Sequence, residues 1–79
     1  MNMNISAIDE VALRRMLPAP DRCRAIRLRA GVSLARVGED VGVTGQAILW
    51  WETGRSEPRA EHLAAYVAVL AGLEGATTP

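Results

Sequence analysis

Two short helical patterns meet at a three-residue corner between residues 33 and 54, and this arrangement constrains the fold more than any other feature of the chain. In the first pattern, Leu34, Val37 and Val41 recur three to four residues apart, which places them on one face of a short helix. Ser33 stands where an N-cap is expected, and Gly42 stands where a left-handed residue ends a helix. The sequence therefore predicts a helix that stops abruptly at the corner.

The second pattern begins at Thr44, whose hydroxyl can accept a backbone N–H of the first helical turn. If Thr44 is the N-cap, Val43 and Ile48 occupy the two positions that a hydrophobic staple joins, which would fix how the chain enters the helix. Gly54 is expected to end this helix as Gly42 ends the previous one. One face of the helix is apolar and consists of Ala47, Ile48 and Trp51. Together the two patterns predict a helix-turn-helix motif.

Helical periodicity continues on both sides of this motif, and no segment has the alternation of a strand. An N-terminal helix, capped by Ser6 or Asn4, precedes the prolines at 18 and 20, and its predicted inward face is Ile5, Ile8, Ala12, Leu13 and Met16. A second helix, Arg22 to Ala30, is capped by Asp21, ends at Gly31 and buries Cys23, Ile26 and Ala30. The last helix runs from about Arg59 to Gly72, with Leu63, Tyr66, Val67 and Leu70 inward.

These elements predict an all-α fold, a compact bundle of about five helices with a helix-turn-helix of the lambda-repressor-like kind. The expected organisation is an N-terminal helix with a proline-rich linker over 1–20, a helix-turn-helix domain over 21–73 and a flexible tail over 74–79. Seventy-nine residues suffice for one small domain that buries only about 60% of its unfolded surface. We therefore expect modest stability, which a dimer partner would increase.

Composition favours a non-enzymatic cytoplasmic protein without a cofactor. Apolar residues make up 49% of the chain, but none of the apolar runs approaches membrane-spanning length and no signal peptide is visible. A single cysteine, Cys23, cannot form an internal disulfide and is interpreted as a small buried hydrophobe rather than a reactive thiol. His62 is the only histidine and has no partner at metal-ligand spacing, so we expect a surface residue and no metal site. Phosphate-binding loops and nucleophile motifs are missing from the sequence.

Charge gives a mixed indication about nucleic acid. The formal net charge is zero, whereas nucleic-acid-binding domains usually carry a basic surface. Residues 22–59, however, include seven arginines and four acidic residues, so this segment has a net charge of +3. Every basic residue is an arginine, which suits bidentate phosphate contacts. Solvated helix faces remain the alternative explanation for about half of these arginines.

Residues 22–73 resemble the Cro/C1-type (XRE-like) helix-turn-helix family of small bacterial and phage DNA-binding regulators. The resemblance rests on features at fixed spacing: Arg27-x-x-x-Gly31-x-Ser33, Gly42 in the turn, Ile48 and Trp51 in the second helix, Glu52-x-Gly54, and Pro58. Three positions depart from the family pattern. Leu34 replaces a polar residue that holds a phosphate, Gly38 replaces the usual alanine at the helix crossing, and Gly45 replaces a side chain that contacts a base.

The resemblance implies a set of DNA-contacting residues. The positions that contact base edges or the groove wall are Thr44, Gly45, Gln46 and Trp50, and the candidate phosphate-binding residues are Ser33, Arg24, Arg27, Arg55 and Arg59. It also implies an ion pair between Arg27 and Glu52 that is structural first and leaves guanidinium donors for a phosphate. Gln46 can pair with adenine through its amide, and the alternative is a solvated helix residue.

Trp50 and Trp51 cannot both face the core, because neighbouring residues on a helix point about 100° apart. The spacing from Ile48 sends Trp51 inward and leaves Trp50 partly exposed. Trp50 then packs on a sugar, a thymine methyl group or a partner protein, or it covers the edge of the core.

Two functions remain. The first is a sequence-specific transcriptional regulator that binds a palindromic operator in double-stranded DNA as a homodimer, with either flanking helix at the two-fold interface. The second is a protein-interaction module, antitoxin-like or anti-repressor-like, that keeps the fold but binds a partner protein through Trp50 and the outer helices.

Overall fold

A computed structural model describes residues 6–78 and folds them into five helices. These are α1 (Ala7–Met16), α2 (Pro20–Ala30), α3 (Leu34–Val41), α4 (Gly45–Glu52) and α5 (Ala60–Thr77). This confirms the all-α helix-turn-helix fold expected from the sequence. The predicted residues Asn4 and Ile5 lie outside the described part of the chain.

Three of the predicted N-caps are present, and each hydroxyl accepts the backbone N–H three residues later. The bonds join Ser6 to Asp9, Ser33 to Arg36 and Thr44 to Ala47, each at 3.1 Å. Because each cap satisfies a donor that the first turn cannot bond internally, the starts of α1, α3 and α4 are fixed locally.

The cap predicted at Asp21 is wrong. Helix α2 begins at Pro20, its N-cap is Ala19, and no side chain caps it. Proline suits the first helical position because its fixed φ is helical and its missing N–H would have no partner there. Asp21 instead lies in the first turn.

The corner between α3 and α4 depends on backbone conformation at Gly42 and on close packing at Gly38. Gly42 has φ +92°, and the N–H groups of Gly42 and Val43 both donate to the Gly38 carbonyl, at 2.7 and 2.8 Å. Few residues other than glycine adopt this left-handed conformation without strain. At Gly38, a Cβ would lie only 2.6 Å from the Val43 carbonyl oxygen. The two helices therefore cross closer than an alanine would allow.

Side chains from α2 to α5 form the core. Its buried cluster is Cys23, Ile26, Val37, Val41, Ile48, Trp51, Tyr66 and Leu70, with Leu63 and Val67 also buried. Trp51 packs on Tyr66 with ring centroids 4.9 Å apart. Burial raises the pKa of the Tyr66 hydroxyl far above its ordinary value, and burial also raises the pKa of the Cys23 thiol. Cys23 is thus kept protonated at neutral pH, as expected of a buried hydrophobe.

Helix α1 has the opposite orientation to the one expected. Ile8 and Met16 are 82% and 64% exposed, and of the predicted inward residues in the described chain only Leu13 is half-buried. Half-buried Glu10 and Arg14 form an ion pair at 3.1 Å, and Arg14 also donates to the Pro58 carbonyl at 3.2 Å. Helical spacing identified residues that share a face, but the contact between α1 and the rest of the molecule decided which face turns inward.

The predicted end of the last helix is also wrong, because α5 continues through Gly72 and Gly75 to Thr77. Residues 74–77, expected to belong to a flexible tail, form its last turn. Leu73 packs against the core and Glu74 pairs with Arg22 on α2. These tertiary contacts offset the conformational cost of two glycines in a helix.

Helix propensity alone predicts that Gly38→Ala would stabilise the protein, but the close crossing at Gly38 predicts the opposite. We expect Gly38→Ala to lower the free energy of unfolding by about 1–3 kcal/mol, because the backbone at Val43 must move. Gly72→Ala is the matched control: its Cβ would have nothing within 4 Å, so propensity alone should raise stability by roughly 0.5–1 kcal/mol. Urea unfolding measures both variants. A Gly38→Ala chain as stable as the wild type would contradict the crossing geometry.

Candidate nucleic-acid interface

One side of α4 is exposed along its whole length. Gln46, Trp50 and Thr53 are exposed and lie four and then three residues apart, which puts them on a single face. The opposite face, Ile48, Trp51 and Glu52, is buried. Sequence reasoning named Gln46 and Trp50 but missed Thr53, although helical spacing from Gln46 would have included it. Thr44 caps the helix and is exposed beside this face.

A side chain at position 45, where the chain has Gly45, would by contrast not point outward from α4. A Cβ on Gly45 would lie 3.0 Å from the Ala35 nitrogen and 3.2 Å from the Leu34 carbonyl carbon, both in the backbone of α3. The direction in which a side chain would extend is therefore occupied by the neighbouring helix. Gly45 serves the close approach of α3 and α4, so its expected contact with a base can involve only its backbone atoms.

Arg27 and Glu52 form a buried bidentate ion pair. Nε of Arg27 donates to Oε2 of Glu52 at 2.6 Å, and Nη2 donates to Oε1 at 2.9 Å. Nη1 of Arg27 also donates to the Val32 carbonyl at 3.0 Å. One guanidinium thus joins α2, the turn before α3 and the last residue of α4. Its hydrogen bonds to Glu52 raise the pKa of Arg27 above its ordinary high value, so the guanidinium stays charged.

This geometry bears on the expected phosphate contact of Arg27. The residue is only 8% exposed, and three of its N–H groups are already used within the protein. Unlike the exposed arginines, Arg27 is therefore part of the scaffold that holds α4.

Exposed arginines lie on both sides of α4. Arg24 on α2 lines an open groove together with Leu49 and Thr53. Arg59 lines a second groove together with Trp50 on the other side. Arg55 follows α4 after Thr53 and Gly54, and its guanidinium carbon lies 5.5 Å from the centroid of the Trp50 ring. The exposed face of α4 is thus flanked by cations.

Acidic side chains share these grooves. Asp21 lines the groove of Arg24, whereas Glu57 and Glu61 line that of Arg59. The surface around α4 is consequently mixed in charge rather than uniformly basic, in keeping with the zero net charge of the chain.

The start of α3 lies beside the start of α4. Ser33 is exposed, and its hydroxyl caps the helix. Leu34 is half-buried and packs against the core, so it offers nothing polar at this end.

Near the start of α5, His62 is partly buried, with its ring centroid 6.3 Å from that of Trp51. Within residues 6–78, no three His, Cys, Asp or Glu side chains come together in a way that could hold a metal ion.

Comparison with known families agrees with this fold. Residues 21–78 match the model of the helix-turn-helix domain family. The chain belongs to this helix-turn-helix family, whose members are typically DNA-binding. Searches of curated proteins and of solved structures find no match. In the described part of the chain, none of the helices is long and apolar enough to cross a lipid bilayer.

Because Arg27 and Glu52 are both buried, removal of either one should be costly. Arg27→Ala leaves an unpaired carboxylate inside the protein, and we expect the free energy of unfolding to fall by about 3–5 kcal/mol. Arg36→Ala is the matched control, since Arg36 makes only exposed contacts to acids at 3.9–4.0 Å and should change stability by less than about 1 kcal/mol.

Thermal and urea unfolding compare these variants with Arg27→Met/Glu52→Leu. The double variant removes both charges and should regain most of the lost stability. Equal stabilities of Arg27→Ala and Arg36→Ala would show that the buried pair does not hold the fold together.

Proposed function

We propose that the chain is a sequence-specific transcriptional regulator of the Cro/C1 type that binds double-stranded DNA with α4 as its recognition helix. The observation that carries the proposal is the exposed, capped face of α4 with arginines on both sides. The major groove admits one α-helix, whose N-terminal residues reach base edges while flanking groups contact the backbone.

Base recognition in this proposal centres on the first turn of α4. Gln46 is exposed and can donate to and accept from adenine at the same time, which is worth about 1–3 kcal/mol of discrimination. The hydroxyl of Thr44 accepts the cap hydrogen bond and keeps its own hydrogen for a base or phosphate oxygen. Trp50, one turn further on, lies on the same exposed face, with the Arg55 guanidinium over its ring. Gly45 contributes only backbone.

The proposed phosphate contacts are Ser33, Arg24, Arg55 and Arg59, all of which are exposed. Arg24 lies on the opposite side of α4 from Arg55 and Arg59, so the two groups can reach phosphates on the two walls of one groove. Arg27 supports binding indirectly, by holding the end of α4 through Glu52.

We further propose that a homodimer binds a palindromic operator, with recognition helices about 34 Å apart. The outward apolar face of α1 is the better of the two candidate interfaces. Ile8, Val11 and Met16 are all more than half exposed, whereas α5 presents mainly small residues such as Ala64 and Ala68 to solvent. Pairing of two α1 helices would remove these large side chains from water.

The second candidate function is a protein-interaction module. It is favoured by the acidic residues in both grooves and by Leu28, which is 53% exposed and lines a groove with Leu49 beside α4. A partner helix with an apolar face could occupy this groove. Such binding would depend only weakly on salt, because it releases few counterions.

DNA binding is tested by selecting bound fragments from random DNA and titrating the selected duplex at several salt concentrations. Arg24→Ala and Arg59→Ala should weaken binding to all sequences alike, each lowering the slope of log K against log salt by about 0.9. Gln46→Ala should leave the slope unchanged and relax the preference at one base pair. Arg29→Ala, an exposed arginine in a groove with Glu74 and Thr77, is the control. Salt-insensitive or undetectable binding by the wild type would favour the interaction module.

The oligomeric state is tested on the full chain by sedimentation. We expect Ile8→Glu and Val11→Glu to dissociate the dimer, because each buries a charge in an apolar interface. Ala64→Glu, on the exposed face of α5, should leave it intact. The reverse pattern would move the interface to α5, and a monomeric wild type would refute the dimer.

A further inference from the structure

We propose that Trp50 acts as a positioning residue that holds the guanidinium of Arg55 ready for a DNA phosphate, instead of contacting bases itself. This inference rests on the proposed DNA-binding function. It assigns a role to the one large aromatic side chain on the exposed face of α4, which is 39% exposed.

The first observation is the stack between the two side chains. The Arg55 guanidinium carbon lies 5.5 Å from the centroid of the Trp50 ring, within the range of a cation–π interaction. No acidic group within residues 6–78 forms a salt bridge with Arg55. In the described chain the indole is thus the identified attraction that restricts this side chain.

The second observation is that the backbone of Arg55 is fixed to the same residue. The N–H groups of Arg55 and Ser56 both donate to the Trp50 carbonyl, at 2.9 and 3.3 Å. Gly54, with φ +75°, makes the turn that allows this return. Because backbone and side chain are both tied to Trp50, the position of Arg55 relative to α4 is well defined.

A stacked guanidinium remains available for a phosphate. The Arg55 guanidinium lies over the indole and makes no salt bridge within residues 6–78, so a phosphate can bind two of its N–H donors. Arg27 is the contrasting case, because Glu52 and Val32 already occupy three of its five N–H donors. Because Trp50 already restricts the long Arg55 side chain, less conformational entropy is lost when DNA binds. The contact should therefore raise affinity without adding sequence preference.

The test is a double-mutant cycle on the full chain, using one fixed DNA duplex over a range of salt concentrations. Trp50→Leu removes the aromatic face and should weaken binding about two- to fivefold, the equivalent of an exposed cation–π interaction. Trp50→Phe should restore part of this loss. In an Arg55→Ala background, Trp50→Leu should have no further effect, because the group that it positions is gone.

A measurement without DNA accompanies the cycle. The side-chain protons of Arg55 should show an upfield ring-current shift in the NMR spectrum of the wild type, which Trp50→Leu abolishes and Trp50→Phe reduces. A purely structural role of Trp50 would not produce this dependence. The thermal midpoint of each variant confirms that it is folded.

Two results would overturn the inference while the proposed function stands. An equal loss from Trp50→Leu in the presence and absence of Arg55 would mean that Trp50 itself contacts DNA, and Arg55 protons unaffected by Trp50→Leu would mean that no stack exists. If the wild type shows no salt-dependent DNA binding, the proposed function fails and the phosphate role of Arg55 fails with it.

Discussion

The buried ion pair between Arg27 and Glu52 connects the helix that carries the exposed face to the rest of the protein. Its guanidinium also bonds the Val32 carbonyl, so a single side chain fixes the end of α4 and the approach to α3 relative to α2. A domain of this size buries a limited share of its surface. An interaction of this kind therefore determines the orientation of α4 as well as the stability of the fold. Burial of two charges is tolerated because the bidentate geometry satisfies them mutually.

The crossing of α3 and α4 is the second constraint, and it shapes the surface available for DNA. Gly38 and Gly45 let the two backbones approach so closely that a Cβ on either would meet backbone atoms of the other helix or of the corner. The close approach removes Gly45 from the outward face. What remains exposed along α4 is Gln46, Trp50 and Thr53, with Thr44 at the cap. A narrow face of this kind favours recognition through few side chains supported by flanking backbone contacts.

The charges around the exposed face of α4 act mainly at short range. The chain has no net charge, and each groove beside α4 contains both an arginine and at least one acid. Long-range attraction of DNA should accordingly be weak, and binding should depend on arginines held in defined positions. The Trp50–Arg55 stack is a means of doing this on an exposed surface, where an unconstrained arginine would lose more entropy on binding.

The sequence by itself determined the number and order of the helices, the caps at Ser33 and Thr44, and the stop at Gly42, because capping and helical periodicity depend on residues within a few positions of each other. Only the tertiary structure decided which face of α1 turns inward, how far α5 extends and where a side chain at Gly45 would point. Each of these outcomes depends on a contact between segments far apart in the chain or on the distance between two backbones. Local pattern fixes which residues share a face, but the packing partner selects the face that is buried.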